Sequence, residues 1–186
     1  DGRVVVIGDK SGHLHLWNLE QQKLIRSMKA LYQQVSHISF SADSRRFVAS
    51  SEQEFDSLKS PSAVTPIWSS ESGESLTAFD SKGLGVTCAA WHPTQSILAF
   101  GLSDATVRLW DADTSSVLSV SDRQPDTVLK IRFSPNGRQV ATQCGAQNIV
   151  LWQLVKEAEL PRLLRRDFLT GHQSRITLLE FDETSQ

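Results

Sequence analysis

Two histidines on one short run are the residues of this chain best suited to binding a metal ion. His13 and His15 stand two apart in the β-prone run HLHLW, so both imidazoles would lie on one face of a strand, as two metal ligands can. No Cys, Asp or third His follows them at ligand spacing, so packing or contact with solvent is the better interpretation. We predict that the protein has no metal site and no cofactor.

The segment 8–12 (GDKSG) has the glycines and the lysine of a phosphate-binding loop. It lacks the full order G-x-x-x-x-G-K-[ST], and β-prone runs flank it on both sides instead of a strand and a helix. We interpret this segment as the turn of a β-hairpin.

Cys88 and Cys144 are the two cysteines of the chain, too few for the disulfide framework of a small secreted domain. Both lie among apolar residues of predicted strands, where a thiol stays protonated and unreactive. No nucleophile, base and orienting group come together in the sequence, so we predict that the protein is not an enzyme. Reduced core cysteines favour an intracellular location, with the cytoplasm as the expected compartment.

The composition is that of an ordinary globular domain, with 39% hydrophobic and 22% charged residues over 186 positions. The formal net charge is -2 and no block of like charges occurs, so a general affinity for nucleic acid or anionic membranes is possible but not indicated. No apolar run approaches the roughly 18 residues that span a bilayer, so we predict no transmembrane segment.

Four tryptophans mark an internal repeat. Trp17, Trp68, Trp110 and Trp152 are 51, 42 and 42 residues apart, and each ends a short β-prone run. A period near 42 matches the roughly 40 to 45 residues of one four-stranded propeller blade. The longer first spacing places an insertion of nine residues in the second repeat.

A second landmark recurs 19 residues before Trp110 and Trp152, and 28 residues before Trp68 because of the nine-residue insertion. An aromatic residue closes an earlier strand at Phe40, Trp91 and Phe133, and Phe181 aligns with Phe133. Alternation of side chains and regularly spaced turns rich in Gly and Pro are typical of antiparallel β-structure. The fold class we predict is all-β.

The segment from Trp91 to Val120 carries the landmarks together, with Asp104 in a tight turn and Trp110-Asp111 at the end of the third strand. Residues 133–154 match next best. These residues resemble the WD-repeat (WD40) β-propeller family, and the resemblance covers nearly the whole chain. It implies a protein-binding scaffold with about four blades of four-stranded antiparallel sheet, in which the four tryptophans, Asp104 and His172 have structural roles.

The repeats depart from the family pattern. Asn18, Ser69 and Gln153 replace the Asp of the namesake dipeptide, and only Gly171-His172 keeps the family's Gly-His. We therefore expect a diverged propeller, in which the Asp-His-Ser-Trp hydrogen-bond network of regular blades is incomplete.

The alignment of the repeats divides the chain into blades. The predicted bounds are strands b to d of one blade at 1–29, full blades at 35–79, 86–120 and 128–169, and the first strand of a next blade at 176–181. Open propellers leave sheet edges exposed, so we expect a piece of a longer protein whose remaining blades are partners of this segment. Closure into four blades is the alternative.

In the family that the chain resembles, the loops from strand b to c and from strand d to a form the usual binding rim. The insertion, Glu52 to about Val64, is a b-to-c loop, and within it Glu52, Phe55 and Asp56 are candidate contacts. A spacer rich in Ser and Pro is the alternative. The d-to-a loops add Tyr32, Gln34, Arg123, Asp126 and Arg175 to this rim.

On the opposite end, residues 156–166 (KEAELPRLLRR) lengthen the connection from strand c to d and cluster Arg162, Arg165 and Arg166. This cluster could meet an acidic protein, RNA or phosphoinositide head groups, and a solvated turn is the alternative interpretation. Pro66 lies inside a nominal strand c, so we predict that this strand is short or irregular.

The leading functional hypothesis is a non-enzymatic protein-interaction scaffold or recognition propeller inside a larger multidomain protein. A sensor or autoinhibitory region of a regulatory NTPase is one alternative. An RNA-binding propeller is another, and strongly salt-dependent retention of RNA would favour it.

Overall fold

The computed structural model describes residues 2–51, 64–158 and 160–182. They form fifteen strands in four antiparallel sheets, one of three strands and three of four. Within each sheet the strands lie in the order of the sequence, as hairpins joined end to end produce. We number the sheets blades 1 to 4. This architecture confirms the all-β propeller fold.

The strands have the following bounds. Blade 1 contains β1 (Val4–Gly8), β2 (His13–Asn18) and β3 (Lys23–Lys29), and blade 2 contains β4 (His37–Phe40), β5 (Arg46–Ser50), β6 (Val64–Ser69) and β7 (Ser75–Asp80). Blade 3 contains β8 (Val86–Trp91), β9 (Ile97–Leu102), β10 (Val107–Asp111) and β11 (Ser116–Val120). Blade 4 contains β12 (Val128–Phe133), β13 (Gln139–Cys144), β14 (Asn148–Glu157) and β15 (Leu160–Leu169).

A β-bulge precedes each of the four tryptophans. The pairing between the third and the outermost strand shifts register at Leu16/Trp17, Ile67/Trp68, Leu109/Trp110 and Leu151/Trp152. A bulge adds one residue on one strand and increases the local twist. The four blades therefore share a distortion at the same place, which the residue types do not reveal.

The three hydrophobic cores are the three interfaces between neighbouring blades. Leu14 and Leu16 of blade 1 pack with Trp68 of blade 2. In the same way, Ile67 of blade 2 packs in one core with Trp110, and Leu109 of blade 3 packs in one core with Trp152. Each interface therefore buries the tryptophan of the later blade against its predecessor.

Trp17 shows what happens where such a neighbour is missing among the described residues. It is 36% exposed, whereas Trp68 is 5%, Trp110 2% and Trp152 1% exposed. Ile7, Leu19 and Leu24 of the same blade are also exposed. Blade 1 thus presents an apolar face of the kind that the other blades bury.

Residues 176–181, which the sequence assigns to the first strand of a next blade, form no strand in the structure. They lie against blade 4, where the Ile176 N–H donates to the carbonyl of Ala146 at 2.8 Å. The Gln143 side-chain amide donates to the Ile176 carbonyl at 3.2 Å. No strand among the described residues pairs with this segment.

The strand that contains Pro66 is irregular, as expected, but not short. β6 has six residues like β8 and β9, and its ladder with β5 extends only from Arg46↔Ser69 to Val48↔Ile67 and stops before Pro66. Another expectation about strand geometry needs correction. Residues 156–166 are not a solvated turn. Most of them belong to β14 and β15, two strands of ten residues whose ladder continues to Glu157↔Leu160.

Candidate functional site

In blades 1 and 3 the b-to-c turn and the d-to-a loop are bonded to each other at one end of the blade. The Ala30 and Leu31 N–H groups donate to the carbonyl of Gly12, each at 3.0 Å. Between β11 and β12, the Gln124 N–H donates to the Ala105 carbonyl at 2.8 Å. In blades 1 and 3 the loop that leaves the blade is thus held by the b-to-c turn of that blade. We call this end of the molecule the rim.

A buried polar relay fixes the loop between blades 3 and 4. The Trp152 indole N–H donates to the Thr142 hydroxyl at 2.9 Å, and this hydroxyl donates to Gln124 Oε1 at 2.7 Å. All three side chains are buried, where a satisfied hydrogen bond matters most. Phe100 occupies the place of Thr142 in blade 3, ten residues before the tryptophan.

Arg165 adds a second anchor to the same loop. Its guanidinium lies 5.4 Å from the ring centre of Trp152 and 5.2 Å from that of Phe168, so it contacts both rings as a cation. It also donates to the carbonyl of Arg123 at 2.8 Å. The loop that carries Arg123 is therefore held from blade 4 as well as from blade 3.

The described candidate contacts of the rim are accessible. Tyr32 is 59% exposed, and Arg123, Asp126 and Arg175 are exposed too, as is Gln34. The Asp126 carboxylate accepts a bond of 2.6 Å from the Thr127 N–H. Burial, aided by the negative charge of Asp126, raises the pKa of the Cys144 thiol. Glu52, Phe55 and Asp56 lie outside the described residues.

Both cysteines are free and buried, which confirms that they are core residues. A thiol whose pKa is raised by burial is a poor nucleophile. Cys88 and Cys144 both belong to the core between blades 3 and 4.

The structure does not bring the three arginines of residues 156–166 into one patch. Arg162 pairs with Glu157 at 2.7 Å on the exposed face of the hairpin. Arg165 turns to Trp152, and Arg166 is the extra residue of the bulge opposite Leu151/Trp152. Residues three apart on a strand face opposite sides, which is why Arg162 and Arg165 separate.

His13 and His15 meet an acid that precedes them in the sequence. Asp9 Oδ2 lies 3.6 Å from His13 Nδ1 and 3.6 Å from His15 Nε2. The backbone N–H of His13 and the hydroxyl of Ser11 bond to Asp9 and lower its pKa to about 2. In the part of the chain that the structure describes, no three His, Cys, Asp or Glu residues are arranged to hold a metal ion.

A cavity of about 530 Å³ lies where the innermost strands converge. The aromatic residues that close these strands, Phe40, Trp91 and Phe133, line it together with Phe181. Arg132 and Glu180 face it as an ion pair of 3.1 Å. His37, Ser39 and Ser134 also line it, so its wall is mixed polar and apolar.

Asp104 and His172 were both expected to be structural. Asp104 Oδ1 accepts bonds from the Thr106 N–H at 3.0 Å and from its hydroxyl at 2.7 Å, which closes the turn before β10. His172 is exposed, so it is not part of a buried network.

The described residues contain no helix long and apolar enough to cross a lipid bilayer.

Comparison with known proteins gives a family match for residues 73–111, described as "WD domain, G-beta repeat". The chain is 34% identical over 88 residues to Pre-mRNA-processing factor 19 homolog 2 of Arabidopsis thaliana, which covers 47% of this chain and 17% of the relative. It is 22% identical over 157 residues to Transcription initiation factor TFIID subunit 5 of Caenorhabditis elegans, which covers 83% of this chain and 22% of the relative.

A third relative matches the chain from end to end. U3 small nucleolar RNA-associated protein 15 homolog of Xenopus tropicalis is 22% identical over 188 residues, which covers 100% of this chain and 33% of the relative. The chain thus spans a third or less of the length of these three proteins. With the repeated antiparallel sheets and a buried tryptophan at each blade interface, the match at residues 73–111 shows that the chain contains a WD repeat and has the fold of a WD40-type β-propeller.

Proposed function

We propose that this chain is a protein-interaction scaffold without catalytic activity of its own, and that the rim is its binding surface. WD-repeat proteins are interaction scaffolds, which is the coarser statement that the family supports. The finer assignment to the rim, within a larger multidomain protein, is our proposal. An intracellular location belongs to it, since both cysteines are free.

One observation carries the proposal: the rim loops are rigidly held while their side chains stay exposed. Backbone bonds tie the loops to the b-to-c turns, and the Thr142 relay and Arg165 hold the 121–127 loop from below. Tyr32 and Arg123 then project from fixed backbone. Pre-ordered Tyr and Arg side chains lose little entropy on binding and are enriched in the energetic centres of interfaces.

The experiment is affinity capture from a cell extract with the 186-residue chain as bait, followed by quantitative mass spectrometry. The test variants are Arg123→Glu and Tyr32→Ala on the rim, and a variant that lacks residues 52–63. Arg138→Glu is the matched control, because Arg138 is exposed on the turn between β12 and β13, at the opposite end. Partners lost with the rim variants and kept with the control would support the proposal.

An equal loss with Arg138→Glu would contradict the rim assignment, and identical partners for all variants would do so as well. A change at the rim should cost about 1 kcal/mol or more in affinity if the residue lies at the centre of the interface. Each candidate partner is then purified and titrated against the same four variants, so that indirect capture is recognised.

RNA binding is a second candidate, because one relative is named as RNA-associated. The structure favours protein, since Arg162 is paired with Glu157 and Arg165 is held between two rings. Retention of RNA that falls steeply with salt and is abolished by Arg123→Glu would shift the assignment to RNA.

We keep the NTPase-sensor hypothesis as a proposal that a search for a motor domain in the same polypeptide would test.

A further inference from the structure

The outermost strand of blade 3, β11, has no charged residue. Residues 114–121 (TSSVLSVS) carry neither a charge nor a proline. β11 pairs with β10 on its inner side and with no described strand on its outer side. An open edge of this kind can pair with a strand of another molecule, and proteins commonly prevent such pairing with lysine, other charged residues or proline along the edge.

The other three outer strands, β3, β7 and β15, have that protection. Each of them carries charged side chains within the strand or next to it. These residues are Lys23, Arg26 and Lys29 on β3, Glu74 and Asp80 on β7, and Arg162, Arg165, Arg166 and Asp167 on β15. Among the outer strands that the structure describes, β11 alone lacks such a residue.

The edge of β11 is also accessible. Val117 is 48% and Val120 50% exposed. The Ser121 N–H donates to the Val107 carbonyl of β10 at 2.8 Å, and the backbone groups of successive residues in a strand point to opposite sides. The N–H and the carbonyl of Val120 therefore point away from β10, so β11 offers backbone groups as well as apolar side chains.

This edge does not belong to either end of the described chain. Blade 3 packs on blade 2 through one core and on blade 4 through another. Blade 4 contacts β11 through a side chain, since the Ser119 hydroxyl donates to the Pro161 carbonyl at 2.7 Å. Further blades of the same polypeptide would stack on the free faces of blade 1 and blade 4, and they would leave the outer edge of blade 3 on the circumference.

We propose that β11 is a site of self-association, at which the β11 strands of two copies of this chain pair antiparallel across a twofold axis. The two blade 3 sheets then form one continuous sheet. The outward N–H and carbonyl of Val120 find partners in the second copy, and the exposed valines pack against uncharged side chains of the other strand.

Charge is the observation that selects a second copy as the occupant. A twofold axis brings a surface against itself, so a charged edge meets its own charges, and like charges opposite one another destabilise a sheet. A paired β3 would bring Lys23, Arg26 and Lys29 against the same three residues. A paired β11 brings together only hydroxyl and aliphatic side chains, which makes this edge complementary to itself.

The first variant, Val120→Pro, removes an outward donor of the edge. Proline is tolerated on an edge strand where the N–H faces solvent, so the bonds between β11 and β10 should remain. Ala78→Pro is the matched control on β7, because Ala78 lies opposite Pro66 in blade 2 as Val120 lies opposite Arg108 in blade 3. Circular dichroism checks that both variants fold.

The second variant, Val120→Lys, adds to β11 the kind of charge that the other edges carry, without any change to the backbone. Its control is Leu76→Lys, since Leu76 is 56% exposed on the outer strand of blade 2. This pair of variants keeps the test informative even if a proline at position 120 prevents folding.

The measurement is sedimentation velocity of the 186-residue chain over a range of concentrations. We expect a reversible dimer with twice the 20.7 kDa of one chain. Val120→Pro and Val120→Lys should each raise the dissociation constant of this dimer about tenfold or more, because the twofold axis makes every change act twice. Ala78→Pro and Leu76→Lys should leave the dissociation constant unchanged.

Hydrogen exchange locates the contact. The Val120 amide should exchange fast in dilute solution, where single chains predominate, and slowly in the dimer. The Ala78 amide, which points outward from β7 in the same way, should exchange fast in both.

Three results would overturn the proposal. A single-chain mass at every concentration would leave the edge to a strand of a different protein. A dimer that neither change at Val120 weakens would place the contact elsewhere, on the free faces of blade 1 or blade 4. A dimer without protection of the Val120 amide would exclude strand pairing. None of these results concerns partners of the rim, so the proposed function is tested separately.

Discussion

Arg46 of β5 and Asp113, in the turn after β10, form an ion pair of 2.9 Å that joins blade 2 to blade 3 at the end opposite the rim. The same guanidinium donates to the Ala112 carbonyl at 3.3 Å and to the Ser96 hydroxyl at 3.0 Å. It also lies 5.1 Å from the ring centre of Trp91. One side chain, 16% exposed, thus contacts two turns of the next blade.

We predict that Arg46→Ala lowers the free energy of unfolding by about 2 to 3 kcal/mol, since charge-assisted bonds and a cation over a ring are lost together. Urea unfolding followed by tryptophan fluorescence measures the change. Arg45→Ala is the matched control, because Arg45 is exposed and its loss should cost less than about 0.5 kcal/mol. Equal effects of the two variants would show that the contacts of Arg46 contribute nothing.

Removal of the hydroxyl at the centre of the relay should destabilise blade 4. Thr142→Val keeps the shape of the side chain but leaves the Trp152 N–H and Gln124 Oε1 without their partner, at a cost of about 1 to 3 kcal/mol. Hydrogen exchange should also become faster in residues 121–127. The control is Thr77→Val, because the Thr77 hydroxyl lies on β7 and makes an exposed hydrogen bond with the Ser115 hydroxyl. Slow exchange in 121–127 despite Thr142→Val would mean that Arg165 and the backbone bond from Gln124 to Ala105 hold this loop without the relay.

The tryptophan spacing predicted the blades because the residue at the end of each third strand packs against the preceding blade in every repeat. The four bulges were not predictable, since a register shift of the backbone leaves the residue types unchanged. Nor was the contact between Arg46 and Asp113, which joins positions 67 residues apart. The relay did leave a signal in the sequence. Thr142 and Phe100 each lie ten residues before the tryptophan of their blade, and only Thr142 has a hydroxyl that can bond to the indole.

The basic cluster was misassigned for a different reason. Residues 156–166 were interpreted as a turn, and in a turn Arg162, Arg165 and Arg166 can share a side. As strands they cannot, since side chains alternate between faces and the bulge at Leu151/Trp152 moves Arg166 out of the alternation. The alternating apolar residues Pro161 and Leu163, which face blade 3, are the sequence signal of the longer hairpin.

A methyl group at Gly12 should disrupt the junction between turn and loop at the rim. Gly12 has a φ of +82°, and an added Cβ would lie 2.5 Å from the Gln33 carbonyl oxygen and overlap that of Leu31. Gly83 has nearly the same φ, +84°, with open space around it. Gly83→Ala should therefore lower the free energy of unfolding only by the backbone strain, about 1 to 2 kcal/mol.

Gly12→Ala should cost about 1 to 3 kcal/mol more than Gly83→Ala, because the Leu31 segment must move away. The difference between the two variants in urea unfolding measures how tightly the rim is packed. An equal loss of unfolding free energy in the two variants would show that the d-to-a loop moves aside without cost, and the rim would then not be a preformed surface.

The last prediction concerns pH and His92, a buried residue that joins blades 3 and 4. Its Nδ1 accepts bonds from the Thr94 and Gln95 N–H groups at 3.2 and 3.1 Å, and Nε2 donates to the Gly137 carbonyl at 3.1 Å. This pattern requires a neutral ring, and burial lowers the pKa of His92 below its ordinary 6.5.

A lowered pKa means that the unfolded chain takes up the proton first as the pH falls. The contribution of His92 to stability is therefore complete above pH 6.5 and is lost progressively below it, as the pH falls towards the lower pKa of the folded state. Asp9, Asp43 and Asp80, whose lowered pKa values start from 3.8, lose their contributions only in more acidic solution.

Urea unfolding of the wild type and of His92→Gln between pH 7.5 and pH 5 checks this prediction. Glutamine cannot titrate, so the wild type should lose more unfolding free energy than the variant over this interval, and the two curves should run parallel above pH 6.5. The other histidines are common to both proteins and cancel in the difference. Parallel curves throughout would mean that His92 is protonated as readily in the folded chain as in the unfolded one, which its three hydrogen bonds do not allow.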